Sequence, residues 1–493
     1  MIFKSLYSLI FIFLFCAESK ADCFIAKENN TILKEEGVCS QFYPFMKTSP
    51  EEQIVFLEQL NNTSLHINEK SGRYNNDNLL AEEFIEGWEL YGKTSEGFFS
   101  INKSYHVGCF SGWARKGERK IIFVNYIEDD EKFNSSAAKR AKERAKEYLR
   151  PLVTEEFGYN ELLKKVPNIF IAPIKEVVSK SFSQKEIDNI KFKKVFGGLS
   201  QAKLFQINNK YVLRLLDENK EIEIRESEIS AHKIGSKLKI APTLICSDTL
   251  SLVSIMEFIE GRTMSTKDLK NAIIIEKIMA NLKKFHNYLG NNNLLKKTKL
   301  DTIKNSYKSF SEKGAVYPTG YTESYRKLIQ DFAKFDRPFL PSHGDLNQGN
   351  ILITKDGNIY FIDWSEARVD NPLLDIGWLA SCLGANLSET KNLLRKYFGR
   401  EPTAFEFKEV LYFKNVTNFW AATFFIGRQE EREQYKMDLI LKTLSKKSSE
   451  YRREGITAQE FTNMKGYDLT TYALSWFKEF VDNQSYIESI DEK

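Results

Sequence analysis

At 493 residues the chain is too long for one ordinary hydrophobic core, so two domains are expected. A composition of 28% charged and 42% hydrophobic residues is that of a globular protein and excludes a disordered or fibrous chain. The net charge of +4 is too small to argue for a polyanionic partner, and no basic patch interleaved with aromatics occurs, so no nucleic-acid partner is expected.

The chain opens on a targeting pattern. Lys4 precedes an apolar run from Leu6 to Phe15, and Ala17-Glu18-Ser19-Lys20-Ala21 follows. A charged start, an apolar centre and small residues before a cut describe a secretory signal peptide, here residues 1–21 with cleavage after Ala21. No later segment approaches spanning length, so no membrane span is expected once the signal is removed. Export or a periplasmic location follows as an expectation. Of six cysteines, Cys23 and Cys39 can pair in an oxidising compartment, and no Cys/His spacing suits a metal.

Residues 22–160 are expected as one domain. Cys23-Phe24-Ile25-Ala26 reads as a strand, Asn29-Asn30 as a turn and Thr31-Ile32-Leu33 as the returning strand. Ser49-Pro50 starts a helix that runs to about Leu60. Strands are expected over Trp88–Lys93, Gly97–Asn102, Val107–Arg115 and Lys120–Tyr126, then a highly charged helix over Ala137–Leu149. Lys93-Thr94-Ser95 follows Gly87-Trp88-Glu89-Leu90-Tyr91-Gly92, and Gly112-Trp113 lies on the next strand. With the Asp22-Cys23-Phe24 start and the Ser-Pro-Glu-Glu-Gln helix, this resembles a class D β-lactamase over about residues 20–150, with Lys93, Thr94 and Trp113 as remnants of the carboxylate-recognition strand pair. The resemblance implies a partial serine β-lactamase or penicillin-binding-like antiparallel sheet with helices. The family's Ser-x-x-Lys box is missing from its place between Tyr43-Pro44 and Ser49-Pro50, and the Ser-x-x-Lys matches at Ser100/Lys103 and Ser136/Lys139 come after Lys93, in the wrong order. Without an activated serine there is no acyl transfer, so β-lactam hydrolysis is not expected.

Residues 161–184 read as a linker with a lead-in helix, and residues 185–493 as a second domain. Strands are expected at Phe192–Val195, Lys203–Ile207 and Tyr211–Leu215. The turn between the first two carries Gly197, Gly198 and Ser200; alone it is an ordinary hairpin, but glycines also permit a backbone to lie over phosphates. Arg214 sits mid-strand among apolar residues, either gripping a ligand or facing water from an edge strand. The helix from Glu221 to Lys237 offers Glu226 and Glu228 as its partners. Ser251–Glu260 reads as a strand that runs into Met256-Glu257-Phe258, and Ile273–His286 as a helix.

The most informative stretch runs from His343 to Asp375. Ile351-Leu352-Ile353 and Ile359-Tyr360-Phe361-Ile362 flank an Asp-Gly turn and form a hairpin with Asp345 and Asn350 before it and Asp363 after it. His343-Gly344-Asp345, four residues, Asn350, then Ile362-Asp363-Trp364 resembles the signature of the aminoglycoside phosphotransferase and choline kinase family, over about residues 185–480. The resemblance implies a two-lobed, protein-kinase-like fold that uses ATP and Mg2+. It assigns Asp345 to orient the acceptor hydroxyl and take its proton, Asn350 and Asp363 to bind the metal, and Arg214 with Glu228 to hold the phosphates. The loop at Gly197, Gly198 and Ser200 covers the nucleotide, Met256 and Phe258 form the adenine hinge, and His343 and Asp375 support the loop.

The expected function is phosphoryl transfer to a hydroxyl of a cationic small molecule such as an aminoglycoside, choline or thiamine. Either the aromatics Tyr412, Phe413, Phe419, Trp420, Phe424 and Phe425 would cage a quaternary ammonium, or Glu366, Asp370, Glu430 and Glu431 would bind amino groups. The rival readings are an exported penicillin-recognising protein, a nonfunctional gene fusion and a nucleotide binder without catalysis. The export expected from the signal peptide conflicts with the need for ATP, and a cytoplasmic location is the alternative.

Overall fold

The computed structural model describes residues 22–28, 31–37, 54, 83–98, 106–129, 137–195, 203–290, 292–335, 337–428, 433–453, 461 and 468–491. The signal-like start, Cys39, the helix start at Ser49, the Gly197–Ser200 turn and Glu430-Glu431 lie outside these residues. The described residues divide into two compact units at Glu155/Glu156. Among them no helix is long and apolar enough to cross a membrane.

The first unit is an antiparallel sheet in the order β2-β1-β6-β5-β4-β3, with β1 Asp22–Glu28, β2 Thr31–Gly37, β3 Glu83–Ile85, β4 Trp88–Phe98, β5 His106–Lys116 and β6 Arg119–Asp129. Helix α1 (Ala137–Val153) lies on one face. Its alanines at 137, 138, 141 and 145 are all buried. Such small side chains at helical spacing let the helix backbone come down on the sheet, close enough for Asn125 Nδ2 to donate to the Ala141 carbonyl at 2.9 Å. The opposite face buries Ile25, Tyr91, Cys109, Trp113, Ile122 and Val124 with Ile54. The two strands expected at 88–93 and 97–102 are one continuous strand, because Ser95-Glu96-Gly97 keeps an unbroken register against Cys109, Gly108 and Val107. Lys93 and Thr94 stand exposed on β4, and Trp113 stacks on Tyr91 with ring centroids 5.6 Å apart.

The second unit begins with a sheet in the order β11-β12-β10-β9-β8-β7, with β7 Glu156–Gly158, β8 Lys191–Val195, β9 Lys203–Ile207, β10 Tyr211–Leu215, β11 Leu244–Ser247 and β12 Val253–Glu257. Asn208 and Asn209 take positive φ at the β9–β10 hairpin turn, as asparagine tolerates. The stretch expected as a linker is instead structural. It forms α2 (Tyr159–Lys165), α3 (Ile171–Ser181) and α4 (Gln184–Asn189), and its Leu162, Phe170, Ile174, Val177 and Val178 share one core with Phe192, Phe205, Leu213 and Val253 of the sheet. Short helical segments with few consecutive apolar residues carry a weak periodic signal, which is why the stretch reads as connecting chain.

Helix α5 (Ile222–Lys237) follows β10. Then come β13 (Arg262–Thr263), α6 (Ala272–His286), α7 (Lys299–Glu312), α8 (Tyr321–Phe332) and β14 (Leu340–Ser342). The hairpin β15 (Ile351–Ile353) and β16 (Ile359–Phe361) forms as its alternation and Asp-Gly turn require, with β13 beside it. β17 (Arg368–Asp370) pairs with β14 and leads into α9 (Leu373–Cys382), α10 (Leu387–Phe398), α11 (Ala404–Ile426), α12 (Gln434–Thr443), α13 (Ser448–Arg453) and α14 (Leu469–Asp491). Both units are mixed α and β with antiparallel sheets, as expected. Phe170 is 1% exposed in the core that the expected linker shares. Phe170→Ala is expected to destabilise the second unit by about 3–5 kcal/mol in denaturant unfolding, whereas the same change in a true linker would cost less than about 0.5 kcal/mol.

Candidate active site

Arg214 lies on β10, which pairs with β9 on one side and β12 on the other, so the strand is central and the edge-strand alternative is excluded. Its side chain is 11% exposed and bridges two carboxylates. Nε donates to Glu228 Oε1 at 2.8 Å, and Nη2 donates to Asp363 Oδ1 at 2.7 Å. Of the two glutamates offered by α5, Glu226 faces out and Glu228 faces in. Burial pushes the Glu228 carboxyl up, with the Arg214 charge opposing it. Burial also pushes Asp363 upward, but there the Arg214 charge together with hydrogen bonds from Ser365 and Arg214 holds it below the usual carboxylate range.

Helix α5 reaches this position because Gly235 lets it close onto Trp364. A Cβ at Gly235 would stand 2.7 Å from the Trp364 ring. Trp364 packs in turn on Phe285 at 4.8 Å and His343 at 4.7 Å between ring centroids. Asp363 has φ +58, the left-handed conformation that Asp tolerates better than most residues.

The loop before β15 is held by Asp375 at the start of α9. Its carboxylate accepts from the backbone N–H groups of His343 and Gly344, each at 2.8 Å, and lies 3.0 Å from His286 Nε2. The far nitrogen of His286 meets Tyr397 Oη at 2.8 Å. Gly344 has φ +77, and a Cβ there would meet the Glu366 carbonyl at 2.2 Å. His343 Nε2 lies 3.0 Å from the Ile362 carbonyl, which ties this loop to the end of β16.

Asp345 follows immediately. Trp378 Nε1 donates to its Oδ1 at 2.8 Å, while Asn347 and Asn350 Nδ2 stand at 3.2 and 3.3 Å from its Oδ2. Burial raises the Asp345 carboxyl to about 7, with Lys299 opposing and Glu366 adding to the rise. Asn350 uses its Nδ2 on the Asp345 carbonyl at 2.8 Å, and its own carbonyl accepts from Ile362 N at 3.0 Å, which sets it against the residue preceding Asp363.

The Asn350 carboxamide and the Asp363 carboxylate are the oxygen groups that would hold a magnesium ion here, and it would supply positive charge to nucleotide phosphates. Among the described residues no cluster of three or more His, Cys, Asp or Glu is arranged to hold a metal by protein ligands alone. Met256 on β12 pairs with Val212 on β10, and Phe258 N donates to the Lys210 carbonyl at 2.9 Å, so both lie at the end of the central strands.

Two features escaped the sequence reading, and a third is placed differently. Trp378 lies one helical turn beyond Asp375, so their shared face of α9 was the available signal. Lys299, at the start of α7, is 2% exposed and pairs with Glu366 at 3.1 Å; no local pattern marks it. Asp370, expected to face a substrate, is 1% exposed. Its carboxylate accepts from the backbone of Lys299 and Asn371 and is raised by burial to about 6.

Comparison with known proteins adds two findings. Residues 192–382 match the family described as choline/ethanolamine kinase. In its N-terminal part the chain is similar to β-lactamase OXA-1 of Escherichia coli, 31% identical over 120 residues, covering 24% of this chain and 42% of that protein. The chain thus spans less than half the length of that curated relative. Among solved structures it is similar to an ethanolamine kinase of Plasmodium vivax, with 18% identity and a TM-score of 0.47 over 70% of this chain and 95% of that one. A second similar structure is the ADP-bound aminoglycoside phosphotransferase APH(2'')-Ib, with 14% identity and a TM-score of 0.40 over 57% and 94%.

Asp375→Ala would strip a buried acceptor from His343, Gly344 and His286 together. It is expected to cost about 3–5 kcal/mol of unfolding free energy. A loss under about 1 kcal/mol would mean that this carboxylate does not hold the loop.

Proposed function

From a choline/ethanolamine kinase family domain at residues 192–382, we propose an ATP-dependent phosphotransferase acting on a small-molecule hydroxyl. The observation that carries the reading is the hydrogen-bonded set of Arg214, Glu228 and Asp363 beside that of Asp345 and Asn350, the two tied where Asn350 accepts from Ile362, the residue before Asp363. The acceptor oxygen attacks the γ-phosphorus, the bond to the β-γ bridging oxygen breaks, and ADP leaves. The hydroxyl proton passes to Asp345 Oδ2, the oxygen whose contacts are long, while Trp378 holds Oδ1 in place. Arg214, aimed by Glu228, offers a planar fork to the phosphates, a grip that lysine does not reproduce. Magnesium at Asn350 and Asp363 would offset charge on the phosphates. The family resemblance assigns Gly197, Gly198 and Ser200, which lie outside the described residues, to the nucleotide phosphates, and in this reading Met256 and Phe258 border the adenine.

The N-terminal segment we read as an inactive β-lactamase-like remnant, since no Ser-x-x-Lys precedes Lys93 in the right place. A chromogenic cephalosporin should therefore go unhydrolysed by the full chain, and turnover above background would refute this. A requirement for ATP sets the site of action in an ATP-containing compartment and favours the cytoplasm over export.

Asp345→Asn should lower acceptor-dependent ADP formation by about 10²–10⁴-fold. A carboxyl raised to about 7 must lose its proton to act as a base, so kcat/KM should fall as pH drops below neutrality and level off above it. A pH–rate profile flat from acid to neutral pH, or full activity in Asp345→Asn, would sink the assignment.

A further inference from the structure

A row of aromatic rings starts at Asp345. The Trp378 indole that donates to Asp345 lies 5.3 Å from Trp420, and Trp420 stacks on Phe424 at 5.0 Å. Ring faces beside a carboxylate attract a cation. Here the chain supplies its own. The Lys299 ammonium stands 4.3 Å from the Trp378 centroid and 4.9 Å from that of Trp420, with Glu366 Oε2 at 3.1 Å. At the other end the Arg428 guanidinium lies 3.3 Å over Phe424.

Lys299 is not a surface chain that swings away. Its backbone N–H is fixed on Asp370 at 2.6 Å, and the Thr298–Asp301 capping box locks the helix start beside it. Nor is Glu366 available to an incoming cation. Besides Lys299 it meets Arg368 at 2.7 Å and Lys220 at 3.9 Å. Burial opposes ionisation of Glu366, yet these three cations hold its carboxyl down at about 2. One end of the ring row thus carries the buried Lys299 ammonium and the other the exposed Arg428, and among the described residues Glu366 and Asp370 are engaged by the protein's own groups.

We propose that Lys299 is a specificity-determining residue that fills the cation position beside Asp345, so that the enzyme rejects cationic acceptors and takes an uncharged or anionic hydroxyl compound. This rests on the kinase reading above. The Trp378 ring is buried, so a quaternary ammonium could reach only the partly exposed Trp420 ring, where an ammonium is already in place 4.9 Å from the centroid, and like charges at such separations repel. The expectation of a cationic acceptor is replaced on this account.

The test uses the full chain as wild type, Lys299→Met and Lys299→Arg. Choline binding is read by calorimetry and by quenching of tryptophan fluorescence. Acceptor-dependent ADP formation is read with choline, an aminoglycoside, glycerol and glycerate. The wild type and Lys299→Arg should show no saturable choline binding, and Lys299→Met should bind choline at least about tenfold more tightly, the scale of a desolvated cation–π contact. Among acceptors, the wild type should favour glycerol or glycerate over choline. Wild-type turnover of choline in preference to the uncharged acceptor would overturn the proposal, and so would choline binding that Lys299→Met fails to improve. The wild-type comparison decides the matter if Lys299→Met does not fold. Failure of the kinase reading has a separate sign, namely no Mg·ATP binding and no turnover lost in Asp345→Asn, whatever choline does.

Discussion

The arrangement of the site depends on one buried guanidinium. Arg214 joins the central strand of the sheet, helix α5 through Glu228 and the end of the β15–β16 hairpin through Asp363. Three buried charges of this kind add little net stability, because removing them from water offsets most of their attraction. Their effect is on geometry: with one positive group between two negative ones, displacement of any element strands a charge in the interior. The two carboxyls shift in opposite directions, Glu228 upward because burial dominates, Asp363 downward because the Arg214 charge is joined by hydrogen bonds from Ser365 and Arg214.

Asp375 does for the loop what Arg214 does for the lobes. It accepts from two successive backbone amides and faces a histidine that is itself fixed by Tyr397. The Asp375 and Arg214 arrangements meet around Trp364, which lies under α5 at Gly235 and against His343. Asp345 is therefore presented by a loop whose backbone, neighbours and far hydrogen-bond partner Trp378 are all set by packing. Its raised carboxyl follows from the partial withdrawal of that group from water, with Lys299 opposing the rise.

Much of this was legible because it is local. The hairpin, its Asp-Gly turn and the polar residues at its ends lie within His343–Asp375 and appear in the structure as the pattern requires. Arg214 was legible as a charge inside an apolar strand, and of the two glutamates that the following helix offered, the family resemblance assigned Glu228 as its partner. Lys299 and its ring contacts were not legible, since they arise from tertiary packing between α7, α9 and α11. The same lysine changes what the acidic residues signify: Glu366 and Asp370 look like a trap for cations in sequence, yet in the fold they serve Lys299, Arg368 and backbone amides. The stretch 161–184 was misjudged as a linker for a related reason, because its apolar residues make sense only against the sheet they cover.

The central claim is that Arg214, Glu228 and Asp363 form a nucleotide-phosphate site, and ligand-induced stabilisation tests it most directly. Thermal unfolding of the full chain should shift upward with Mg·ATP, by an amount equivalent to about 2.7 kcal/mol at a hundredfold excess over Kd. The shift should vanish in Arg214→Met while the protein without nucleotide still unfolds cooperatively. A wild type indifferent to Mg·ATP, or an Arg214→Met chain stabilised as strongly as the wild type, would contradict the account.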